Sequence, residues 1–206
     1  MMLVKMQDLD RLNDGNIFLM RHAQTELNAL GLWQCWQDES LNILGIMQAE
    51  NSKNIVSGIN PEVIVSSDLK RARETAEIVA KELGIEVKVD KRLRERNCGP
   101  VQGLTSSQIR ERFGIDFATI LSDQIDHLPG VEKSRDFTFR VNKTVDDLYR
   151  EFENKRILIV THGGFQRSFY ETHLPLGYSK RTFTNCSITG YKKDNGTWKL
   201  VYMKIP

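Results

Sequence analysis

Ile17-Phe18-Leu19-Met20 runs into Arg21-His22, and Ile157-Leu158-Ile159-Val160 runs into Thr161-His162-Gly163-Gly164. Each is an apolar run that stops at a polar turn, and each places a histidine where the run stops. Short continuous apolar runs bounded by turn residues predict strands buried in a parallel sheet. In open α/β sheets, ligands bind outside the carboxyl ends of the strands. Two of the chain's four histidines therefore fall where a ligand site is expected.

The segments between and beyond these runs alternate in kind. Gly45 to Ile59 predicts a helix with apolar Ile46, Ala49, Ile55 and Val56, followed by a short strand at Val63-Ile64-Val65. Ser66-Ser67-Asp68 offers N-cap chemistry to a helix with Leu69, Ala72, Ala76, Val79 and Leu83 on one face, which Gly84 closes. Glu86 to Val89 predicts a third strand, and Thr105 with Gln108 has capping-box spacing for a short helix ending at Gly114. Ser134 to Phe152 is the longest predicted helix, with Phe137, Val141, Val145, Leu148 and Phe152 in one stripe. Ser187 to Lys193 and Thr197 to Lys204 predict a hairpin turning at Asp194-Asn195-Gly196. Alternating strands and helices imply a three-layer α/β/α sandwich, its sheet mostly parallel with an antiparallel edge. Residues 1–206 are read as one domain, with 104–133 as a small lid insertion over the sheet edge.

Composition excludes more than it selects. The 206 residues are 40% hydrophobic and 27% charged with a net charge of +2, ordinary for a globular protein, and no basic run suggests a nucleic-acid surface. Met1 to Leu12 mixes apolar and charged residues, unlike a secretory or membrane segment. Cys35, Cys98 and Cys186 are odd in number, far apart and without metal-ligand spacing. They are read as unbridged thiols, which implies a cytoplasmic location without disulfides or structural zinc.

Parallel strands would gather four elements at one edge. The first brings Arg21, His22 and Asn28, the second Arg71, the third Glu95, and the fourth His162 with Gly163-Gly164. Arginine forks match phosphate oxygens, and helix N-termini add N–H donors. Two arginines, an amide and two histidines on one rim make a pocket for a phosphoryl group, with a carboxylate able to exchange a proton with a leaving oxygen. His127 and His173 lack such placement and read as surface residues. Lys70, Arg73, Arg92, Arg94 and Arg96 read as solvated charges.

Together, Arg21-His22-Ala23-Gln24-Thr25-x-x-Asn28, Ser67-Asp68-Leu69-Lys70-Arg71-Ala72, Glu95-Arg96-x-x-Gly99 and Thr161-His162-Gly163-Gly164 resemble the histidine phosphatase superfamily of phosphoglycerate-mutase-like proteins. Leu41-x-x-x-Gly45-x-x-Gln48-Ala49 and Pro129-Gly130-x-Glu132 extend the likeness, the latter towards its phosphatase branch. The resemblance implies a phosphoglycerate-mutase-like fold and His22 as a nucleophile forming a phosphohistidine. It implies Arg21, Arg71 and His162 as holders of the phosphoryl oxygens, assisted by Asn28, Gln34 and the Gly163 amide. Glu95 would be the general acid and then the base. It further implies a neutral His22 and a protonated His162 over the bound dianion, with no metal and no cofactor. The partner would be a small phosphorylated metabolite, with no nucleic acid and no membrane; a homodimer is allowed for.

The chain departs from the pattern in places. Ala23 stands where glycine is frequent and Gln24 where glutamate is. Leu32 and Cys35 occupy lip positions where the family often has arginine and glycine. Trp33 and Trp36 in the same lip are read as packing residues. Ile115 to Val131 carries no Lys or Arg but does carry Asp116, Asp123 and Asp126, a composition expected to repel a bisphosphate. A phosphomonoester hydrolase is therefore the favoured reading. A phosphoglycerate-type mutase and a catalytically weak phospholigand-binding regulator are the alternatives.

Overall fold

The apolar runs form strands at the heart of one sheet. In the computed structural model, which describes residues 15–174 and 183–205, β1 (Ile17–Arg21), β2 (Val63–Ser66), β3 (Val87–Val89) and β4 (Ile157–Thr161) are parallel. Then β5 (Ile188–Asp194) pairs antiparallel with β1, and β6 (Thr197–Lys204) antiparallel with β5. The order is β3-β2-β4-β1-β5-β6, a parallel centre with an antiparallel edge. Asn195 and Gly196 both take positive φ, the twist-matched conformation for the two-residue turn between β5 and β6.

The period of two along the strands separates two cores. Phe18, Met20, Leu158 and Val160 face α2 (Ile43–Ile59) and α3 (Lys70–Ala80). Ile17, Leu19, Ile157 and Ile159 face α5 (Ser134–Glu151) and α6 (Gly163–His173). The sandwich has three layers because the first four residues of β1 and of β4 are all apolar and must be covered on both sides. A third cluster joins Cys35, Cys98 and Val101 to Ile109, Phe117, Ile120 and Ile125, beside α4 (Ser106–Phe113).

Local chemistry sets the ends of the helices. Thr25 forms a capping box with Asn28 at the short α1 (Glu26–Ala29), which the sequence patterns did not predict. Asn42 accepts the Gly45 N–H at 2.8 Å and starts α2 two residues early. Thr105 and Gln108 form the expected capping box of α4, which Gly114 ends at φ 67°. Ser66-Ser67-Asp68 behaves differently. Leu69 is the N-cap of α3 and has no polar side chain to cap with; Asp38 Oδ1 takes the Lys70 N–H at 2.7 Å instead. Ser66 donates to the Ser67 carbonyl at 2.9 Å, and Ser67 Oγ lies 2.9 Å from His162 Nε2.

One expectation is overturned. Cys35 and Cys98 form a disulfide, leaving Cys186 as the free, buried cysteine. Sequence separation concealed the pair: residues 63 positions apart are brought to a Cα–Cα distance of 5.9 Å. The three cysteines thus give no support to a reducing compartment. The reading of Met1 to Leu12 lies outside the described residues; among those described, no helix is long and apolar enough to cross a membrane.

Gly45 shows how closely α2 approaches the strand-end loop. A Cβ there would overlap the Gln24 carbonyl oxygen, whose residue is further tied to α2 through Gln48 Oε1, 2.9 Å from its N–H. Gly45→Ala should therefore destabilise the fold by about 1–3 kcal/mol, lowering Tm by roughly 2–4 °C for each kcal/mol. Thermal unfolding checks this, and an unchanged Tm would mean that α2 can recede freely.

Candidate active site

Register fixes the centre of the site. Arg21 lies opposite Thr161 in the β1–β4 ladder, so His22 and His162 leave the sheet side by side, with ring centroids 5.3 Å apart. His22 Nδ1 is 2.7 Å from the Ala23 carbonyl oxygen. A carbonyl only accepts, so Nδ1 carries the proton and Nε2 keeps its lone pair. Burial, then the charges of Arg71 and Arg21, hold this imidazole well below its ordinary pKa.

His162 is fully buried, and its Nδ1 has no protein partner. Burial, Arg71, His22 and Arg21 likewise hold it well below the ordinary value. The protonated His162 expected over a bound dianion is therefore not the state of the free protein. A neutral ring can still donate from Nδ1 if Nε2 accepts the Ser67 hydroxyl proton.

The two arginines enter from different elements. Arg71, on the first turn of α3, is 1% exposed; it donates from Nη1 to the Gln37 carbonyl at 2.6 Å and from Nη2 to the Cys35 carbonyl at 2.8 Å. Burial pushes its pKa down to about 10, so it stays charged at neutral pH. Arg21 donates from Nη1 to the Phe183 carbonyl at 2.6 Å. The Nε atoms of both arginines are buried without a partner. Leaving a buried donor unsatisfied costs about 1–3 kcal/mol, so three such groups around one site mark a pre-formed place for an anion. Gly163 begins α6 there; a Cβ on it would lie 3.2 Å from Arg21 Nε, so glycine lets that guanidinium cross the helix N-terminus.

Asn28, Gln34 and Gly163 line the same cavity of about 350 Å³ as Arg21, His22, Arg71 and Glu95. Gln34 is buried with its Oε1 unpartnered. Asn28 Oδ1 accepts from Asn185 Nδ2 at 3.1 Å, and the same nitrogen donates to the His22 carbonyl at 3.0 Å. Asn185 thus ties the loop before β5 to the site, and no sequence pattern marked it.

Glu95 accepts the Gly164 N–H on Oε2 at 2.8 Å and the Arg96 N–H on Oε1 at 3.0 Å. Desolvation pushes its carboxyl pKa up, against the pull of those N–H groups and of Arg71 and Arg21. The loop that carries it is braced from behind. Arg96, expected as a solvated charge, is fully buried. It donates to the carbonyls of Glu132, Ile120 and Ser122 and pairs with Asp126. Arg94 grips Asp68 through two bonds of 2.7 and 2.6 Å and lies 4.7 Å from the Trp36 ring. Trp36 in turn donates to the Glu95 carbonyl at 2.7 Å, and Trp33 packs edge-on against Phe117. Trp33 also lines the cavity, and Trp36 is 38% exposed.

The rim differs from its expected charge. Asp126 is occupied by Arg96 and Ser134, and Asp116 pairs with Arg110; neither they nor Asp123 lines the cavity. Arg167 does line it, with its Nε 2.7 Å from Glu171. Its spacing of four from Gly163 on α6 is the helical-face signal that could have found it. Among the described residues, no group of three or more His, Cys, Asp or Glu is placed to hold a metal ion.

A profile of the histidine phosphatase superfamily (branch 1) matches residues 17–206. The chain belongs to that superfamily. This histidine phosphatase is 33% identical to phosphoglycerate mutase-like protein 4 of Arabidopsis thaliana, over 92% of its own length and 84% of the relative's. It is 34% identical to putative phosphoserine phosphatase 2 of Hydrogenobacter thermophilus, over 72% and 73%. A solved mycobacterial glucosyl-3-phosphoglycerate phosphatase, in complex with VO3, superposes with a TM-score of 0.78 at 30% identity, covering 89% of this chain and 96% of that one. The left-handed backbone of Cys35, φ 49°, accounts physically for the glycine frequent at that position in the family.

Gly164 is the tightest point of the site, since a Cβ there would overlap both the Glu95 carboxylate and Ile120 Cγ2. Gly164→Ala should displace that carboxylate and lower turnover by about 10²-fold while leaving a cooperative melt. Steady-state assay beside thermal unfolding checks this; unimpaired turnover would mean that the Glu95 position is immaterial.

Proposed function

We propose that the cavity hydrolyses a phosphomonoester of a small metabolite through a phosphohistidine on His22. One observation carries the reading. His22 Nε2 keeps its lone pair, and Arg21 and Arg71 line the cavity with it, each with an unspent Nε donor. His162, whose ring centroid is 5.3 Å from that of His22 although it does not line the cavity, has an unspent Nδ1.

In the first step, His22 Nε2 forms a bond to phosphorus and the ester P–O bond breaks. Arg21, Arg71 and His162 hold the phosphoryl oxygens, with Asn28, Gln34 and the Gly163 N–H assisting. Phosphoryl transfer draws mainly on such positioning and charge neutralisation. Glu95, whose raised pKa favours the acid form, gives its proton to the leaving oxygen. In the second step, the resulting carboxylate takes a proton from water as that water's oxygen bonds to phosphorus. The P–N bond breaks, and phosphate and the original Glu95 acid result. Splitting one displacement into two lowers each barrier.

The relatives act, by name, on phosphoserine and glucosyl-3-phosphoglycerate, which supports a small organic phosphate as substrate here. Residues 104–133 serve as a lid in this reading, since Ala118, Thr119 and Ile120 line the cavity. This reading keeps a cytoplasmic location and allows for a homodimer. Arg167 favours one second reading, a mutase, because it supplies a cation for a second anionic group.

His22→Ala should abolish phosphate release from p-nitrophenyl phosphate. Glu95→Gln should cost about 10²-fold or more on alkyl phosphates, whose leaving oxygen needs a proton, and far less on p-nitrophenyl phosphate. Undiminished release by the first variant removes the nucleophile, and equal losses with the second remove the acid. In a coupled assay with 3-phosphoglycerate and a trace of bisphosphate, phosphate release should outpace isomerisation. The reverse would establish the mutase.

A further inference from the structure

We propose that the Cys35–Cys98 disulfide is a positioning element for phosphate binding. It acts through Arg71, so that thiol–disulfide exchange at this pair sets the affinity of the cavity for phosphate. The inference rests on the reading of Arg71 as a phosphate ligand.

The bridge spans two walls of the site. Cys35 lines the cavity, and Cys98 lies fully buried three residues beyond Glu95. The carbonyl of Cys35 seats Arg71 Nη2 at 2.8 Å, and that of Gln37, two residues on, seats Nη1 at 2.6 Å. Two lip carbonyls therefore set the direction of a guanidinium that is almost wholly buried. The lip itself has no regular secondary structure. Several of its other ties run to the same wall as the bridge: Trp33 N–H to the Leu104 carbonyl, Trp36 N–H to Gln102 Oε1, and Trp36 Nε1 to the Glu95 carbonyl. Beyond them, Leu32 N–H reaches the Leu27 carbonyl, and Asp38 Oδ1 accepts the Lys70 N–H at 2.7 Å.

Opening the bridge must move something. Bonded sulfurs lie about 2.0 Å apart, whereas non-bonded heavy atoms need about 3.5–4.0 Å. Both cysteines are buried in the third cluster, but Cys98 is also bridged through its backbone to Val131. Cys35, by contrast, lines the cavity and holds a left-handed φ of 49° that a non-glycine residue keeps only under constraint. Cys35 is the partner that recedes, and the seat of Arg71 recedes with it.

The exchange balances with a low-molecular-weight disulfide as oxidant. The two thiols lose two protons and two electrons and join, and the small disulfide becomes two small thiols. Reduction runs the other way: a small thiolate attacks Cys35 Sγ from the cavity, Cys98 leaves as thiolate, and a second thiol resolves the mixed disulfide.

The full chain, equilibrated in oxidised and in reduced glutathione, tests this. Bridge state is read by alkylation and intact mass. Inorganic phosphate affinity is read by calorimetry, independently of turnover. The reduced protein should bind phosphate three- to tenfold more weakly, reversibly, with KM for p-nitrophenyl phosphate rising more than kcat falls. Cys98→Ser should sit at the reduced affinity and ignore the buffer; if it does not fold, the wild-type comparison decides alone. Equal affinities with the bridge proven open and closed overturn the proposal. So does a lower Tm with unchanged affinity, or a pair that stays as thiols throughout. Phosphate binding without turnover by the oxidised protein would refute the hydrolase reading and leave the calorimetric comparison to judge this one.

Discussion

The parallel pairing of β1 with β4 is the constraint on which the rest depends. The ladder runs in step from Ile17 opposite Ile157 to Arg21 opposite Thr161, with alternate side chains committed to two different cores. That register brings two loops out of the sheet together, one bearing His22 and the other His162. It also places the N-terminus of α6 against Arg21. Everything chemical about the edge, from the imidazole pair to the Gly164 N–H under Glu95, follows from where those two strands stop.

Electrostatically, the site is held in tension. Among the described residues no carboxylate is bonded to Arg21 or Arg71; Arg21 Nη1 and both Nη atoms of Arg71 rest on neutral carbonyls. Glu95 is the carboxyl group that bears most on both, and it accepts two backbone N–H groups. Both imidazoles answer by staying neutral. On the proposed reading, a phosphate dianion would relieve the arginines at donors already in place. Preorganisation of that kind is where electrostatic catalysis has its largest effect.

The sheet was legible because strand signals are local. Apolar runs, the Thr105–Gln108 capping box and the Asn195-Gly196 turn each need only a few neighbouring residues to be read. Arg21, His22, Asn28, Arg71, Glu95 and His162 were legible because each lies just beyond such a signal. What escaped depends on distance. Arg96 reads as one charge among Arg92, Arg94 and Lys91, and only the folded loop surrounds it with carbonyls. Cys35 and Cys98 look idle until the lip closes on the Glu95 loop. The acidic residues of 115–131 seemed to face a ligand, whereas Asp116 and Asp126 are neutralised by partners the sequence could not place. Arg167 went unread although its helical spacing from Gly163 was available.

The third hydrophobic cluster has an architectural consequence. It unites the lip, the Glu95 loop and the segment around Phe117 and Ile120, while the sheet keeps its own two cores. Arg96 pins two of these pieces, tying the Glu95 loop to residues 120–132 through the Ile120, Ser122 and Glu132 carbonyls. Residues 104–133 are therefore not a detachable piece. Their apolar side chains pack with the lip and the Glu95 loop, and the path of their backbone sets the carbonyls that receive Arg96, so a graft between relatives has to carry all three together.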